Sequence, residues 1–126
     1  MTILFIDSDR LLAKNVTSAF KRAGHNVVHI AQPETAIDLA DKQLPQLVIL
    51  DLQLAGRSGA EFLFEFRSYP EWTRVPVIIL SSVPQTEAKR YIESFSKLEI
   101  KDYFYKPTTS LAQLVEAANQ LLSQTA

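Results

Sequence analysis

Four polar residues of types that could bind a cation and a phosphoryl group each follow a short apolar run of β type. They are Asp7, Asp51, Ser81 and Lys106. Carboxylate oxygens are ligands for hard divalent cations, and an ammonium group pairs with phosphoryl oxygens. If the apolar runs are parallel strands of one sheet, the four side chains reach the same edge, where open α/β sheets bind their ligands. The sequence therefore predicts a site for a divalent cation and a phosphoryl group.

The elements that must position these residues alternate regularly along the chain. Five apolar runs predict strands at about 2–7, 26–30, 46–51, 75–81 and 102–105. Helices are predicted at about 9–23, from Pro33, after the loop 55–59, from Pro84, and at about 109–123. The run Leu47-Val48-Ile49-Leu50 has no polar alternation, which is typical of a strand covered on both faces. The pattern predicts an α/β fold in one domain, residues 1–126, with parallel strands and helices on both faces of the sheet.

Composition excludes several other classes of function. The chain has 126 residues, 47% of them hydrophobic and 21% charged, which is ordinary for a soluble globular protein. A formal net charge of −1 and scattered basic residues give no general attraction to nucleic acid or an anionic membrane. No cysteine is present, so disulfides, thiolate metal sites and cysteine nucleophiles are excluded. No apolar stretch approaches the roughly 20 residues of a membrane span, and the N-terminus has no signal-peptide pattern. We expect a cytoplasmic protein.

Each polar residue alone also has an ordinary structural interpretation. Asp7 and Asp51 could cap a helix or form a turn. Lys106 could be a solvated lysine ahead of Pro107, which ends a strand, and Ser81 alone is weaker still. The four residues together, in this order and at four strand ends, favour the functional interpretation.

In these residues the chain resembles the receiver domain of two-component response regulators, over essentially its whole length. Five of its features match the family pattern: Asp7 the first acidic residue, Asp51 the phospho-acceptor, Ser81 the hydroxyl, Tyr103 the aromatic switch position, and Lys106-Pro107 the terminal motif. The stretch from Leu52 to Gly56, with Gly59, resembles the loop after the acceptor. The resemblance implies a doubly wound, flavodoxin-like fold with five strands in the order 2-1-3-4-5 and five helices. This order places Asp7 beside Asp51.

The resemblance also implies a mechanism. Asp51 would take a phosphoryl group from a histidine kinase or a phosphotransfer protein, and Lys106 and Ser81 would contact that group. Mg²⁺ would be bound by Asp7, Asp51 and the backbone carbonyl of Gln53. The protein would be a switch rather than an enzyme, at most phosphorylating and dephosphorylating itself.

The implied output is a change of protein contacts. A downstream partner would bind the face formed by the fourth helix, fifth strand and fifth helix, where Ser81 and Tyr103 act as switch residues. The fourth helix is expected to present Lys89, Arg90 and Glu93. A homodimer is a further possibility. The chain is expected to be a stand-alone regulator or a receiver from a longer protein.

Ser8 departs from the family pattern, which usually has a second acidic residue there that contacts the metal. A serine hydroxyl is a neutral, weaker ligand, so Mg²⁺ is expected to bind weakly, with Ser8 a weak ligand or one acting through water. The segment 97–101 also lacks the usual Gly-Ala. An alternative therefore stays open: a degenerate, phosphorylation-independent receiver that acts as a protein-interaction module. A third interpretation, a haloacid-dehalogenase-like phosphatase, matches Asp7-Ser8-Asp9 but requires a later acidic pair that no strand end supplies.

The remaining conspicuous side chains have ordinary interpretations. His25 and His29 are expected to have surface or packing roles. Trp72 is expected to hold a loop against the domain. Helical spacing predicts that Phe62 and Phe66 are in the core and that Phe64 is exposed.

Overall fold

A computed structural model describes residues 2–54, 57–89 and 98–124, with the side chain of Arg57 excepted. Its central feature is a sheet of five parallel strands: β1 (Thr2–Ile6), β2 (Asn26–Ile30), β3 (Leu47–Leu50), β4 (Val77–Ser81) and β5 (Ile100–Tyr105). Their order is β2-β1-β3-β4-β5. This order confirms the flavodoxin-like topology and makes β1 and β3 neighbours at its centre.

Five α-helices connect or follow the strands in the described part of the chain: α1 (Arg10–Arg22), α2 (Pro33–Lys42), α3 (Gly59–Arg67), α4 (Gln85–Ala88) and α5 (Leu111–Gln124). Helix α1 begins where the Asp9 side chain accepts a hydrogen bond from the Leu12 amide, and Ser58 caps α3 in the same way. Helix α1 is followed by Gly24 at φ +89°, a conformation that glycine adopts without steric cost. The caps and this glycine account for where the chain turns back toward the sheet.

The apolar side chains of the central strands divide between two cores, one on each face of the sheet. Helices α1 and α5 cover one core, which contains Ile3, Phe5, Leu47 and Ile49. Helices α2, α3 and α4 cover the other, which contains Leu4, Ile6, Val48 and Leu50. All four residues of β3 are fully buried, as their unbroken apolar run predicts. Each such side chain contributes about 1.5–3 kcal/mol on burial, so the strand ends are held firmly in place.

Several predicted boundaries need correction. Strands β1 and β3 end one residue before Asp7 and Asp51, which therefore lie just past the sheet. The predicted loop 55–59 is wrong at its edges, because Gln53–Leu54 pairs antiparallel with Arg57–Ser58 and Gly59 already begins α3. Strand β5 begins at Ile100 rather than residue 102, β4 at Val77 rather than 75, and α5 at Leu111 rather than 109. Most of the predicted fourth helix, including Tyr91, Ile92 and Phe95, lies outside the described residues.

The segment between α3 and β4 is anchored by aromatic stacking and by one half-buried guanidinium group. Trp72 is buried in a 3-10 turn and stacks on Phe66 at 5.0 Å, which confirms its predicted packing role. Arg67 donates hydrogen bonds to the carbonyls of Trp72 (2.5 Å), Val75 (2.6 Å) and Leu98 (2.7 Å). These bonds join the end of α3 to the segments that lead into β4 and β5. Phe62 is buried with Phe66, and Phe64 is exposed, as predicted.

Candidate functional site

Two aspartates and one lysine meet at the carboxyl edge of the sheet. Lys106 Nζ lies 2.9 Å from Asp51 Oδ2 and 2.9 Å from Asp7 Oδ2. The sheet itself positions both acids, because the Asp7 amide donates to the Ile30 carbonyl and the Asp51 amide donates to the Ile6 carbonyl. Asp7 is 1% exposed and Asp51 is 5% exposed. Three of the four predicted site residues are therefore in direct contact.

The second oxygen of each carboxylate accepts a hydrogen bond from a nearby backbone amide. Asp7 Oδ1 accepts from Asp9 N at 2.8 Å, and Asp51 Oδ1 accepts from Gln53 N at 3.0 Å. Asp7 Oδ2 differs, because it is buried and lies near the Lys106 ammonium without accepting an aligned hydrogen bond from any described group. That oxygen therefore keeps lone-pair capacity directed at the site, which suits a cation.

The electrostatics of the three groups follow from burial and contact. Burial raises the pKa of Asp7, and the close ammonium group of Lys106 and the hydrogen bond from the Asp9 amide oppose this rise without cancelling it. Burial would lower the pKa of Lys106, but its close contacts with the carboxylates of Asp7 and Asp51 outweigh this effect and raise that pKa above its ordinary 10.5. The lysine is thus charged at neutral pH. When both carboxylates are ionised, the site has one negative charge in excess, which favours a divalent cation.

The hydroxyl residue and the aromatic residue of the predicted switch both bind Val83. Ser81 is fully buried, and its Oγ accepts a hydrogen bond from Val83 N at 3.1 Å. Tyr103 donates its phenolic hydrogen to the Val83 carbonyl. Because Ser81 Oγ acts as the acceptor in this bond, its own proton stays available for another acceptor. The two residues are thus linked through one peptide segment after β4.

The backbone at Gly59 approaches the backbone at Asp51 closely. A Cβ atom at Gly59 would lie 2.1 Å from the Asp51 carbonyl oxygen, so only glycine fits there without a shift. Gly59 N also donates to the Leu52 carbonyl at 2.9 Å.

Ser8 is half-buried between Asp7 and Asp9. Asp9 is exposed and caps α1, so its carboxylate already has a structural role.

The contact between His29 and the backbone of Asp7 is not predicted by the sequence. The Nε2 atom of His29 lies 2.7 Å from the Asp7 carbonyl oxygen, although only a surface or packing role was expected. The contact follows from the parallel strand register, in which His29 pairs with Phe5 near the strand end that carries Asp7. His25, in contrast, contacts Asn119 Oδ1 on α5 at 2.6 Å and has the expected packing role.

A doubly wound sheet with an acidic pocket, a lysine and a hydroxyl at its carboxyl edge defines the class of receiver-type signalling modules. Comparison with known families agrees with this class. The family model described as "Response regulator receiver domain" matches residues 3–119. The chain therefore belongs to the response regulator receiver domain family.

Individual relatives support the same assignment. The chain is 32% identical over 87 residues to the probable transcriptional regulatory protein TcrX of Mycobacterium tuberculosis, which covers 69% of this chain and 36% of that protein. It is 26% identical to protein RcaC of Microchaete diplosiphon and spans 17% of its length. The chain thus spans about a third or less of these two curated relatives.

Solved structures match the fold over nearly the full chain. A putative response regulator from Chloroflexus aurantiacus is 27% identical, with a TM-score of 0.82 and 97% of each chain covered. The BeF3-activated receiver domain of Klebsiella pneumoniae RstA is 24% identical, with a TM-score of 0.81 and coverage of 97% of this chain and 98% of that one.

Membership of this family indicates the general function of the chain. The chain is a receiver domain of the two-component response regulator type, a family of signalling switches rather than conventional enzymes. Such domains generally bind Mg²⁺ in the acidic pocket and interact with histidine kinases and downstream partners. The phosphorylation-independent alternative is not favoured. Among the helices of the described residues, none has the length and apolarity needed to cross a membrane.

Proposed function

We propose that Asp51 accepts a phosphoryl group from a histidine kinase or phosphotransfer protein and that a downstream protein recognises the result. The observation that supports this proposal is the position of Lys106, whose Nζ lies 2.9 Å from both buried carboxylates. An ammonium held at Asp51 Oδ2 is placed to meet the oxygens of a phosphoryl group attached there. Hydrogen bonds between charged groups, such as an ammonium group and a phosphoryl oxygen, are stronger than hydrogen bonds between neutral groups.

In the proposed reaction, a carboxylate oxygen of Asp51 forms a bond to phosphorus. The bond from phosphorus to the donor atom breaks, and the donor leaves with the electron pair. Lys106 then pairs with phosphoryl oxygens, and Ser81 donates its free hydroxyl proton to another of them. The added group brings about −1.5 to −2 charges, which is what draws these two side chains toward it.

The same proposal assigns a metal site to Asp7, Asp51 and the Gln53 carbonyl, with Ser8 contributing weakly or through water. The buried Asp7 Oδ2 without an aligned donor fits such a role. When bound there, Mg²⁺ would supply positive charge that neutralises the transferring phosphoryl group. No group of three or more His, Cys, Asp or Glu side chains in the described part of the chain is arranged to hold a metal ion. Two carboxylates suit an ion that retains several waters, and we expect weak binding.

The proposed signal leaves through Val83. When Ser81 turns to the phosphoryl group, the segment that it shares with Tyr103 would shift, and the aromatic ring would follow. We propose the face of α4, β5 and α5 as the contact for a downstream protein or a second copy of the chain. Lys89, which follows α4, is exposed. Arg90 and Glu93 lie outside the described residues.

Amide resonances test the proposed output directly. Adding a beryllofluoride mimic should shift resonances mainly within residues 82–106. Changes confined to the loop after Asp51 would contradict the coupling through Val83.

Two further parts of the proposal concern context. We propose that residues 1–126 form one receiver domain, which acts alone or within a longer regulator. We also propose a cytoplasmic location, which the absence of cysteine suits because that compartment is reducing.

The phosphorylation proposal is tested with acetyl phosphate and Mg²⁺. The intact mass of the wild type should rise by one phosphoryl group, and chelation of the metal should slow the gain. Asp51→Asn should abolish it, whereas the matched control Asp9→Asn, which changes an exposed helix cap, should retain it. A wild type that stays unmodified under these conditions would overturn the proposal.

A further inference from the structure

His29 lies on β2, the strand at the edge of the sheet, and its side chain contacts the peptide group that follows Asp7. Its Nε2 atom lies 2.7 Å from the Asp7 carbonyl oxygen. The Asp7 amide donates to the Ile30 carbonyl at 3.1 Å. Strand β2 therefore fixes Asp7 twice, once through its backbone and once through a side chain.

The histidine ring is itself well placed for this contact. It lies 5.8 Å from the ring of Phe5, which is fully buried between β2 and β3. A carbonyl oxygen can only accept a hydrogen bond, so Nε2 must carry the proton. The contact thus requires a proton on Nε2 and a fixed orientation of the half-buried ring.

We infer that His29 is a positioning residue for the metal-binding turn at residues 7–9, acting through the Asp7 carbonyl. This inference rests on the proposed function, because it assigns a role to His29 within the same site. Asp7 supplies one of only two carboxylates that the described residues bring to the pocket, and its neighbour Ser8 adds no charge. The site therefore depends strongly on where Asp7 is held.

The restraint on the Asp7 carbonyl extends along the turn. Asp7 Oδ1 accepts from the Asp9 amide, so a rotation of the peptide after Asp7 would also move that donor. Without the histidine, the carboxylate would have to be ordered when the metal binds, at a cost in affinity. Partners that orient metal ligands typically change metal affinity about 10–100-fold when they are removed.

The test compares Mg²⁺ affinity in three variants by calorimetric titration, with unfolding measured in chelator. His29→Leu replaces the ring with an apolar side chain and removes the donor, and we expect affinity about tenfold weaker. His29→Gln retains an N–H donor and should recover most of that affinity. His25→Leu removes a histidine that contacts α5 instead and should leave affinity unchanged.

The outcomes separate the inference from the proposed function. If His29→Leu binds Mg²⁺ as tightly as the wild type, or His29→Gln loses as much as His29→Leu, the positioning role is overturned while the proposed function stands. If the wild type itself neither binds Mg²⁺ nor accepts phosphate, both fall.

If His29→Leu does not fold, a measurement on the wild type tests the role of His29 instead. The long-range nitrogen–proton spectrum of the histidine rings identifies the tautomer directly. We expect the spectrum to show a proton on Nε2 of His29. A bare Nε2 nitrogen would overturn the positioning role.

Discussion

Replacing Lys106 by methionine should destabilise the metal-free protein in a pH-dependent way. The substitution keeps most of the length and volume of the side chain and removes its charged ammonium group with the hydrogen-bond donors. In the wild type, the ammonium lies 2.9 Å from an oxygen of each of two buried carboxylates. Without it, Asp7 and Asp51 would be left as neighbouring negative charges in a buried pocket.

The expected magnitude follows from this burial. Removing one partner of a fully buried ion pair costs about 3–5 kcal/mol. The Lys106 side chain is 19% exposed, so water can compensate in part. We expect the free energy of unfolding at neutral pH in chelator to fall by about 2–3 kcal/mol. Because the pKa of Lys106 is raised above 10.5, its stabilising effect is fully present at neutral pH and is lost only at strongly alkaline pH.

The pH dependence provides the distinguishing signature. Burial raises the pKa of Asp7 above its ordinary 3.8. The contribution of Asp7 to the free energy of unfolding therefore falls as the pH rises from 3.8 through the pKa of the folded state. Removing the lysine should raise this pKa further. The destabilisation of Lys106→Met should therefore shrink as the pH falls and Asp7 takes up a proton. Added Mg²⁺ should stabilise the variant more than the wild type.

Urea unfolding at several pH values measures these effects, and Lys101→Met is the matched control. Lys101 pairs with Glu99 at 2.7 Å, but both side chains are over 40% exposed. Such a pair contributes at most about 1 kcal/mol. Equal losses in the two variants, or a Lys106→Met loss that does not change with pH, would refute the reasoning.

Three other substitutions have defined outcomes. Ser8→Asp should tighten Mg²⁺ binding about tenfold or more and speed phosphorylation, while lowering metal-free stability because a third carboxylate joins the pocket; equal Mg²⁺ titrations of wild type and variant would contradict this expectation. Tyr103→Phe removes the donor to the Val83 carbonyl, so the amide shifts induced by the mimic should no longer extend to residue 103, and shifts of wild-type size there would argue against the coupling. Gly59→Ala should cost about 1–3 kcal/mol and slow phosphorylation, since the new Cβ would displace the Asp51 carbonyl; a variant with wild-type denaturation and rate would show that the close approach relaxes freely.

The sheet was predictable because hydrophobic periodicity reports burial directly. The unbroken run from Leu47 to Leu50 predicted a strand buried on both faces, and the structure buries all four residues. The same reasoning placed Asp7 and Asp51 at one edge, where Lys106 joins them. Strand ends were less predictable, because pairing with the neighbouring strand decides them. Strand β5, for example, begins at Ile100 through its pairing with Val77.

Contacts between side chains and distant backbone groups could not be predicted in the same way. Arg67 donates to four carbonyls that follow it in the chain by 5, 8, 31 and 32 residues, and no local pattern marks those acceptors. The contact of His29 with the Asp7 carbonyl depends on strand register. The joint contact of Ser81 and Tyr103 with Val83 depends on the turn after β4. In each case tertiary packing supplies the partner, and one-dimensional periodicity contains no record of it.

Locating the phosphoryl group tests the central claim most directly. After incubation with acetyl phosphate and Mg²⁺, borohydride reduction converts an aspartyl phosphate to homoserine, which peptide mass spectrometry can place in the chain. The geometry around Lys106 predicts homoserine at position 51 and at no other aspartate. Homoserine at position 7 or 9, or none at all in a protein that is otherwise folded, would contradict the assignment of Asp51 as the acceptor.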